Sequence, residues 1–185
     1  MKIFTMIGSP NKDGSTAKIV NEIIIGAKEN NYENVEFYVY DKEVKPCIAC
    51  MACKSQKVDI CVHNDDFTKA AKEFIEADVV IFGSPVYFGH ITGPTKTFID
   101  RMYTYVVDRN FNIRHIKGKK FITVVTSGAP VEYYASVTEY LNYWLGEFFK
   151  MEKLENIKVG DLMGPDSLEK QPEALKKALN IGKIL

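Results

Sequence analysis

Two groups of residues in this 185-residue chain have the types and spacing to do chemistry. The first is Cys47, Cys50, Cys53 and Cys61, spaced C-x2-C-x2-C-x7-C, with no cysteine anywhere else. That spacing brings three sulfurs together in successive turns and returns a fourth. In a reducing compartment it reads as a metal site and not as a set of disulfides. Thiolates without paired histidines suit an iron–sulfur cluster or a zinc ion. The bacterial ferredoxin run shares the first two spacings, but its fourth cysteine comes sooner and precedes a proline, whereas Val62 follows Cys61 here. A cluster, a zinc ion and a free thiol loop all stay open.

The second group lies between Gly8 and Thr16, where Ser9, Asn11, Ser15 and Thr16 supply hydroxyls and an amide. Lys2 to Ile7, just before it, is a short apolar run with β-branched and aromatic members, expected as a buried strand. From Ser15 the period changes, and Ile19, Val20, Ile23, Ile24 and Ala27 recur at helical spacing. A strand, a polar loop and a helix in succession aim free N–H groups and the positive helix end at whatever lies above the strand. A phosphate is the simplest such guest. The nucleoside-triphosphate loop is excluded, because the sixth position from Gly8 is Asp13 and no lysine follows Gly14. The dinucleotide fingerprint fails at Pro10. What remains is a set of neutral donors suited to a terminal monophosphate.

The elements that must position these groups alternate. Val35 to Tyr40 is expected as a strand, and Asp41 to Asp66, holding every cysteine, has no clean period. Phe67 to Glu76 suits a short helix, Asp78 to Gly83 a strand buried on both faces, and Pro94 the first turn of a helix with Phe98, Ile99, Met102, Tyr103 and Val106 inward. Lys120 to Thr126 is another buried strand. Val137, Tyr140, Leu141, Trp144, Leu145 and Phe148 predict a helix from about Tyr133 to Phe149. Leu154 to Met163 is the expected last strand, and Pro172 opens a terminal helix. The pattern predicts an α/β, three-layer sandwich with a five-stranded parallel sheet of flavodoxin-like order 2-1-3-4-5. One domain spans 1–185, with a cysteine-rich insertion over about 41–66. Ligands of such sheets sit beyond the carboxyl ends of strands one and three, where the winding reverses. The segment Gly83 to Pro94 should therefore carry ligand chemistry, with Tyr87 and Phe88 offering flat surfaces.

At these positions the chain resembles the flavodoxin-like NAD(P)H-dependent FMN reductases. Ser9-Pro10-Asn11-Lys12-Asp13-Gly14-Ser15-Thr16 is similar to their S-P-R-x-x-[GS]-x-T, with Asn11 where arginine is usual. Ser84-Pro85-Val86-Tyr87-Phe88-Gly89 is similar to S-P-x-Y-x-G, and the following helix gives Phe98-Ile99-Asp100-Arg101 for F-x-D-R. Thr126-Ser127-Gly128 is similar to T-x-G. The resemblance implies an FMN-dependent oxidoreductase, with NAD(P)H as hydride donor and a quinone or free flavin as acceptor. It implies phosphate contacts at Ser9, Asn11, Ser15 and Thr16. Pro85, Val86, Tyr87, Phe88 and Gly89 would lie along the isoalloxazine ring, with Thr126, Ser127 and Gly128 closing its other side. No side chain need act as acid or base. The cysteines resemble the iron–sulfur flavoprotein branch of the same superfamily, which implies a [4Fe–4S] cluster on Cys47, Cys50, Cys53 and Cys61. An electron carrier between redox proteins is then the alternative to a reductase of small molecules.

Composition narrows the partners. Lysine plus arginine equal aspartate plus glutamate at 24 each, so no nucleic-acid or membrane surface is expected. No leader pattern and no membrane-length apolar run is visible, which predicts a cytoplasmic protein. Asp100-Arg101 reads as a structural ion pair or cap, His90 as solvated, and His63 and His115 as outside any constellation. Tyr133, Tyr134, Tyr140, Tyr143, Trp144, Phe148 and Phe149 are more aromatic surface than one buried stripe uses. With the family's habit of placing flavins at subunit boundaries, they predict a homodimer or homotetramer.

Overall fold

In a computed structural model that describes residues 1–55, 58–164 and 166–185, the apolar run Lys2–Ile7 forms β1. All of it but Lys2 is buried. Gln56 and Lys57 of the cysteine segment lie outside the described residues. β1 is flanked by β2 (Glu33–Tyr38) and by β3 (Val79–Tyr87), both parallel to it. β5 (Lys120–Thr126) pairs with β3, and β6 (Glu152–Val159) with β5, again in parallel. A two-residue strand, β4 (His90–Ile91), turns back antiparallel onto the end of β3. The five parallel strands alone have the expected 2-1-3-4-5 order, and the winding reverses between β1 and β3.

Helices cover both faces. α1 (Ser15–Lys28) and α5 (Pro172–Lys183) pack on one face over Ile3, Ile81, Ile122 and Val124. α2 (Asp66–Glu76), α3 (Gly93–Arg101) and α4 (Ala135–Leu141) cover the other. There Phe4, Phe67, Phe74 and Phe98 meet at edge-on contacts of 5.0–5.3 Å for the Phe4–Phe74 and Phe67–Phe98 pairs, the favoured geometry for aromatic rings. α1 and α5 touch backbone to backbone. A Cβ on Gly26 would lie 2.2 Å from the Leu179 carbonyl, and one on Gly182 would lie 2.0 Å from that of Ile23. Among the described residues no helix is long and apolar enough to cross a membrane.

Several boundaries differ from the sequence expectation. β2 starts at Glu33 and ends at Tyr38, with Val39–Asp41 forming a 3-10 turn. β3 continues past Gly83 to Tyr87, because the partner strand β4 gives its last two residues a hydrogen-bonded ladder. β6 occupies Glu152–Val159 and stops at Gly160, where a Cβ would lie 2.7 Å from the Ala129 carbonyl. The predicted helix from Tyr133 to Phe149 is three segments: a 3-10 turn over Val131–Tyr134, α4, and a π-helix over Asn142–Phe148. Apolar spacing cannot separate α from π over seven residues, since the two differ by less than one residue per turn.

Candidate functional site

The first loop is held rigidly at the end of β1. A Cβ on Gly8 would lie 1.7 Å from Thr95 Oγ1, so only glycine lets the loop sit against the start of α3. Thr92, the N-cap of α3, donates its hydroxyl to the Gly8 carbonyl at 2.9 Å. Ser9 Oγ donates to the Asn11 carbonyl and accepts from the Asn11 N–H, both at 3.2 Å. The first turn of α1 has no side-chain cap and no acidic residue, which leaves its positive end free for an anion. The Thr16 and Thr126 hydroxyls meet at 2.6 Å and join the first turn of α1 to the end of β5.

These loops enclose one cavity of about 200 Å³. Of the residues singled out in the sequence, Ser9, Ser15, Thr16, Pro85, Val86, Tyr87, Thr126, Ser127 and Gly128 line it. Three predicted residues do not. Asn11 turns its side chain back into its own loop, where Oδ1 accepts from the Asp13 N–H at 3.0 Å. Phe88 and Gly89 form the tip of the β3–β4 hairpin with φ of 48° and 78°, and the Phe88 side chain projects fully into solvent. Leu162 is an addition that no motif announces; it reaches the cavity because its N–H donates to the Ser127 carbonyl at 3.1 Å. No Asp, Glu, His, Lys or Arg lines the cavity among the described residues. Hydroxyls and helix N–H groups without a competing carboxylate fit a phosphate ester. A volume below the usual range for whole ligands means that the cavity encloses one end of its guest.

The cysteine segment makes a second centre. Ala49 and Met51, on either side of Cys50, adopt left-handed φ of 51° and 60°, and Ala52–Lys54 makes a 3-10 turn. All four cysteines are free thiols and line one small apolar cavity of about 30 Å³, together with Ile48, Val62, His63 and Tyr103. His63 is therefore part of a constellation that its sequence context hid. Its Nε2 is buried without a hydrogen-bond partner among the described residues. Soft thiolate donors around a space with an unsatisfied ring nitrogen fit a metal or cluster that accepts an N–H bond. Among the described residues no three such ligands stand at metal-holding separation.

The base of this segment is pinned by charge. Arg101 does not pair with Asp100, which instead meets Lys96 at 2.5 Å. It reaches Asp65 through Nη1 at 2.5 Å and Nη2 at 3.2 Å, with both side chains almost wholly buried. Arg101 also donates to the Lys45 carbonyl at 2.7 Å, and Asp65 accepts from the Lys45 N–H at 3.0 Å and caps α2 through the Thr68 N–H. Burial works against the Asp65 charge, but the Arg101 guanidinium and the two N–H donors outweigh it and hold the carboxyl below its ordinary value. Lys54 donates to the carbonyls of Tyr103 and Val106, and burial pushes its pKa down. Arg114 donates to the Thr104 carbonyl at 3.1 Å. Through Lys54 the cysteine turn is thus fastened to the 3-10 turn, Met102–Tyr105, that follows α3.

A third cavity, about 610 Å³, opens between α3 and the π-helix. Tyr140, Trp144 and Phe148 form one wall, with ring centroids 6.3 and 4.9 Å apart, and Ile99, Tyr103 and Phe111 form much of the rest. Cys47 lies on its edge.

The switch-point cavity and the sheet order place the molecule in the flavodoxin-like class of α/β proteins. Within that class the chain belongs to the NADPH-dependent FMN reductase family, whose model matches residues 1–160. It is 38% identical over 101 residues to an iron–sulfur flavoprotein of Methanocaldococcus jannaschii, covering 55% of this chain and 51% of that protein. It is 37% identical over 128 residues to an iron–sulfur flavoprotein of Archaeoglobus fulgidus, covering 69% and 60%. The chain thus spans about half to three-fifths of the length of these curated relatives. Among solved structures, an azoreductase from Bacillus anthracis aligns over 100% of both chains with a TM-score of 0.77 at 19% identity. An NAD(P)H:quinone oxidoreductase from Methanothermobacter marburgensis aligns over 99% of this chain and 94% of its own, with a TM-score of 0.77 at 15% identity. At that identity the two structures share the fold.

Proposed function

We propose that the chain is an FMN-dependent oxidoreductase of the NAD(P)H:FMN or NAD(P)H:quinone reductase type. The observation that carries this reading is the meeting of the loops after β1, β3 and β5 on one hydroxyl-rich cavity at the switch point. In it Ser9, Ser15, Thr16 and the first turn of α1 hold the phosphate. Pro85, Val86 and Tyr87 face the ring from one side and Thr126, Ser127 and Gly128 from the other. Phe88 and Gly89 shape the hairpin, and Asn11 shapes its own loop. Bound FMN would supply hydride and electron transfer between NAD(P)H and a quinone or another flavin. The chain binds and orients it, and among the described residues no Asp, Glu, His, Lys or Arg lines the cavity. The quinone oxidoreductase and azoreductase neighbours support a small-molecule acceptor. Protein purified without oxygen should carry a flavin spectrum that NADH or NADPH bleaches and a quinone restores. A colourless protein that takes up no added FMN would overturn the reading.

The cysteine centre favours a second reading: an iron–sulfur flavoprotein that carries electrons between redox proteins. Cys47, Cys50, Cys53 and Cys61 share one cavity with the orphaned His63 nitrogen, and the relatives named above are called iron–sulfur flavoproteins. In this reading the four thiolates hold a [4Fe–4S] cluster, with zinc and free thiols as the competing states. Iron and labile sulfide assays on anaerobic protein decide among the three. We also propose a cytoplasmic homodimer or homotetramer. It is supported by the exposed rings of Phe111, Tyr133 and Tyr143 around the π-helix, and sedimentation tests it.

A further inference from the structure

We infer that the loop after β6 is a fourth wall of the switch-point site, in which Leu162 packs against the bound flavin and the Met163 thioether covers the ring edge where an aromatic electron acceptor approaches. This rests on the FMN reading above and adds the residues that select the acceptor.

The loops after β1, β3 and β5 do not close the site. Their cavity of about 200 Å³ is too small for a whole flavin, so part of the ring lies at the mouth, against whatever borders it. The segment Gly160–Gly164 borders it. Leu162 lines the cavity and also packs on the core beneath α1 and α5. Asp161, with φ of 57°, and Gly164, with φ of 113°, bracket Leu162 and Met163 in left-handed backbone. The bracket is tied to the loop that closes the ring side. The Asp161 N–H donates to the Ala129 carbonyl at 3.2 Å, the Leu162 N–H to the Ser127 carbonyl at 3.1 Å, and the Ser127 N–H to the Val159 carbonyl at 3.0 Å. Gln171 Nε2 donates to the Gly160 carbonyl at 2.9 Å and fixes the base of the segment to the start of α5.

Met163 completes the wall. Gly128, which lines the cavity, has a φ outside the left-handed range, so its backbone does not ask for glycine. The missing Cβ leaves room for Met163 Sδ, which lies 2.8 Å from where that Cβ would stand. Met163 as a whole is 81% exposed: a large apolar side chain held at its sulfur and otherwise in water. A thioether is polarisable and adaptable, and its contacts with aromatic rings are favourable. Because no charged side chain lines the cavity among the described residues, Leu162 and Met163 give its mouth an apolar border that suits a flat acceptor such as a quinone.

Hydrogen peroxide footprinting tests the wall without turnover. Exposed methionines oxidise to the sulfoxide, which mass spectrometry reads residue by residue. Saturating FMN should slow the oxidation of Met163 and leave that of Met51, exposed on the cysteine segment, as it was. Met6 and Met102 are buried and should stay reduced in both states. The acceptor role is read from flavin reduced photochemically and then mixed with menadione or with ferricyanide, which has no aromatic face. Met163→Ser should lower the rate constant of reoxidation by menadione, relative to that by ferricyanide, by about 2- to 10-fold, the loss expected for one thioether–ring contact. Met163→Leu should lower it less, and circular dichroism checks that both variants are folded. A protein that takes up no FMN would overturn the flavin reading and this wall with it. Bound FMN that leaves Met163 oxidation unchanged, or slows Met51 equally, would overturn only the wall. An unchanged ratio in Met163→Ser would overturn the acceptor role.

Discussion

Replacing Asp65 with alanine should destabilise the protein by about 4 kcal/mol at neutral pH. The carboxylate neutralises Arg101, whose side chain is 1% exposed, at Nη–O distances of 2.5 and 3.2 Å. Leaving a buried charge without its partner costs roughly 3–5 kcal/mol. Arg101 would keep the Lys45 carbonyl at 2.7 Å and the Thr68 hydroxyl at 3.3 Å, which argues for the lower end, about 3 kcal/mol. Loss of the N-cap of α2 adds about 1 kcal/mol. Against a typical total of roughly 5–15 kcal/mol this is a large share. Asp65→Ala/Arg101→Met removes the orphan and should recover part of the loss. The pH dependence has a definite sign. A depressed carboxyl contributes stability that is fully present above the ordinary aspartate value and is lost as pH falls through the depressed one. The gap between parent and double variant should therefore narrow in acid. Urea unfolding followed by circular dichroism, at neutral pH and at steps below pH 5, measures both effects. A loss under about 1 kcal/mol at neutral pH, or a gap that ignores pH, would refute the reasoning.

Three further outcomes follow from the geometry. Thr16→Ala removes a buried hydroxyl from the first turn of α1 and orphans that of Thr126, so FMN affinity should fall by about 1–3 kcal/mol in a fluorescence titration, and an unchanged affinity would move the phosphate elsewhere. Cys50→Ser should abolish bound iron or zinc by elemental analysis while FMN stays bound, because Cys50 lines the thiol cavity and not the switch-point cavity. Gly182→Ala drives a methyl toward the Ile23 carbonyl and should cost about 1–3 kcal/mol in thermal or urea unfolding; wild-type stability would mean that the helices part without strain.

The first loop was legible because its signal is local: a run of apolar residues, a cluster of turn formers, and a change of period at Ser15, where α1 in fact begins. The sheet order followed from strand and helix alternation together with the position of that loop. Long-range contacts were not legible. Nothing near Arg101 in sequence announces that its partner is Asp65, and the adjacent Asp100 is a decoy that belongs to Lys96. His63 looked isolated because its neighbours in the cavity come from Cys47 to Cys61 and from Tyr103. The family pattern includes Phe88 and Gly89 with the ring contacts, whereas the hairpin that carries them turns Phe88 away. Leu162 reaches its cavity through a backbone bond to Ser127, which leaves no trace in residue type.

The crossing of α1 and α5 at Gly26 and Gly182 also bears on how the chain is made. α1 is made before most of the sheet strands and before Pro172–Lys183, the elements its apolar residues pack with. While the ribosome works through the intervening strands, Ile19, Ile23 and Ala27 lack their final partner. The apolar stripe exposed in the interval is a ready target for a chaperone.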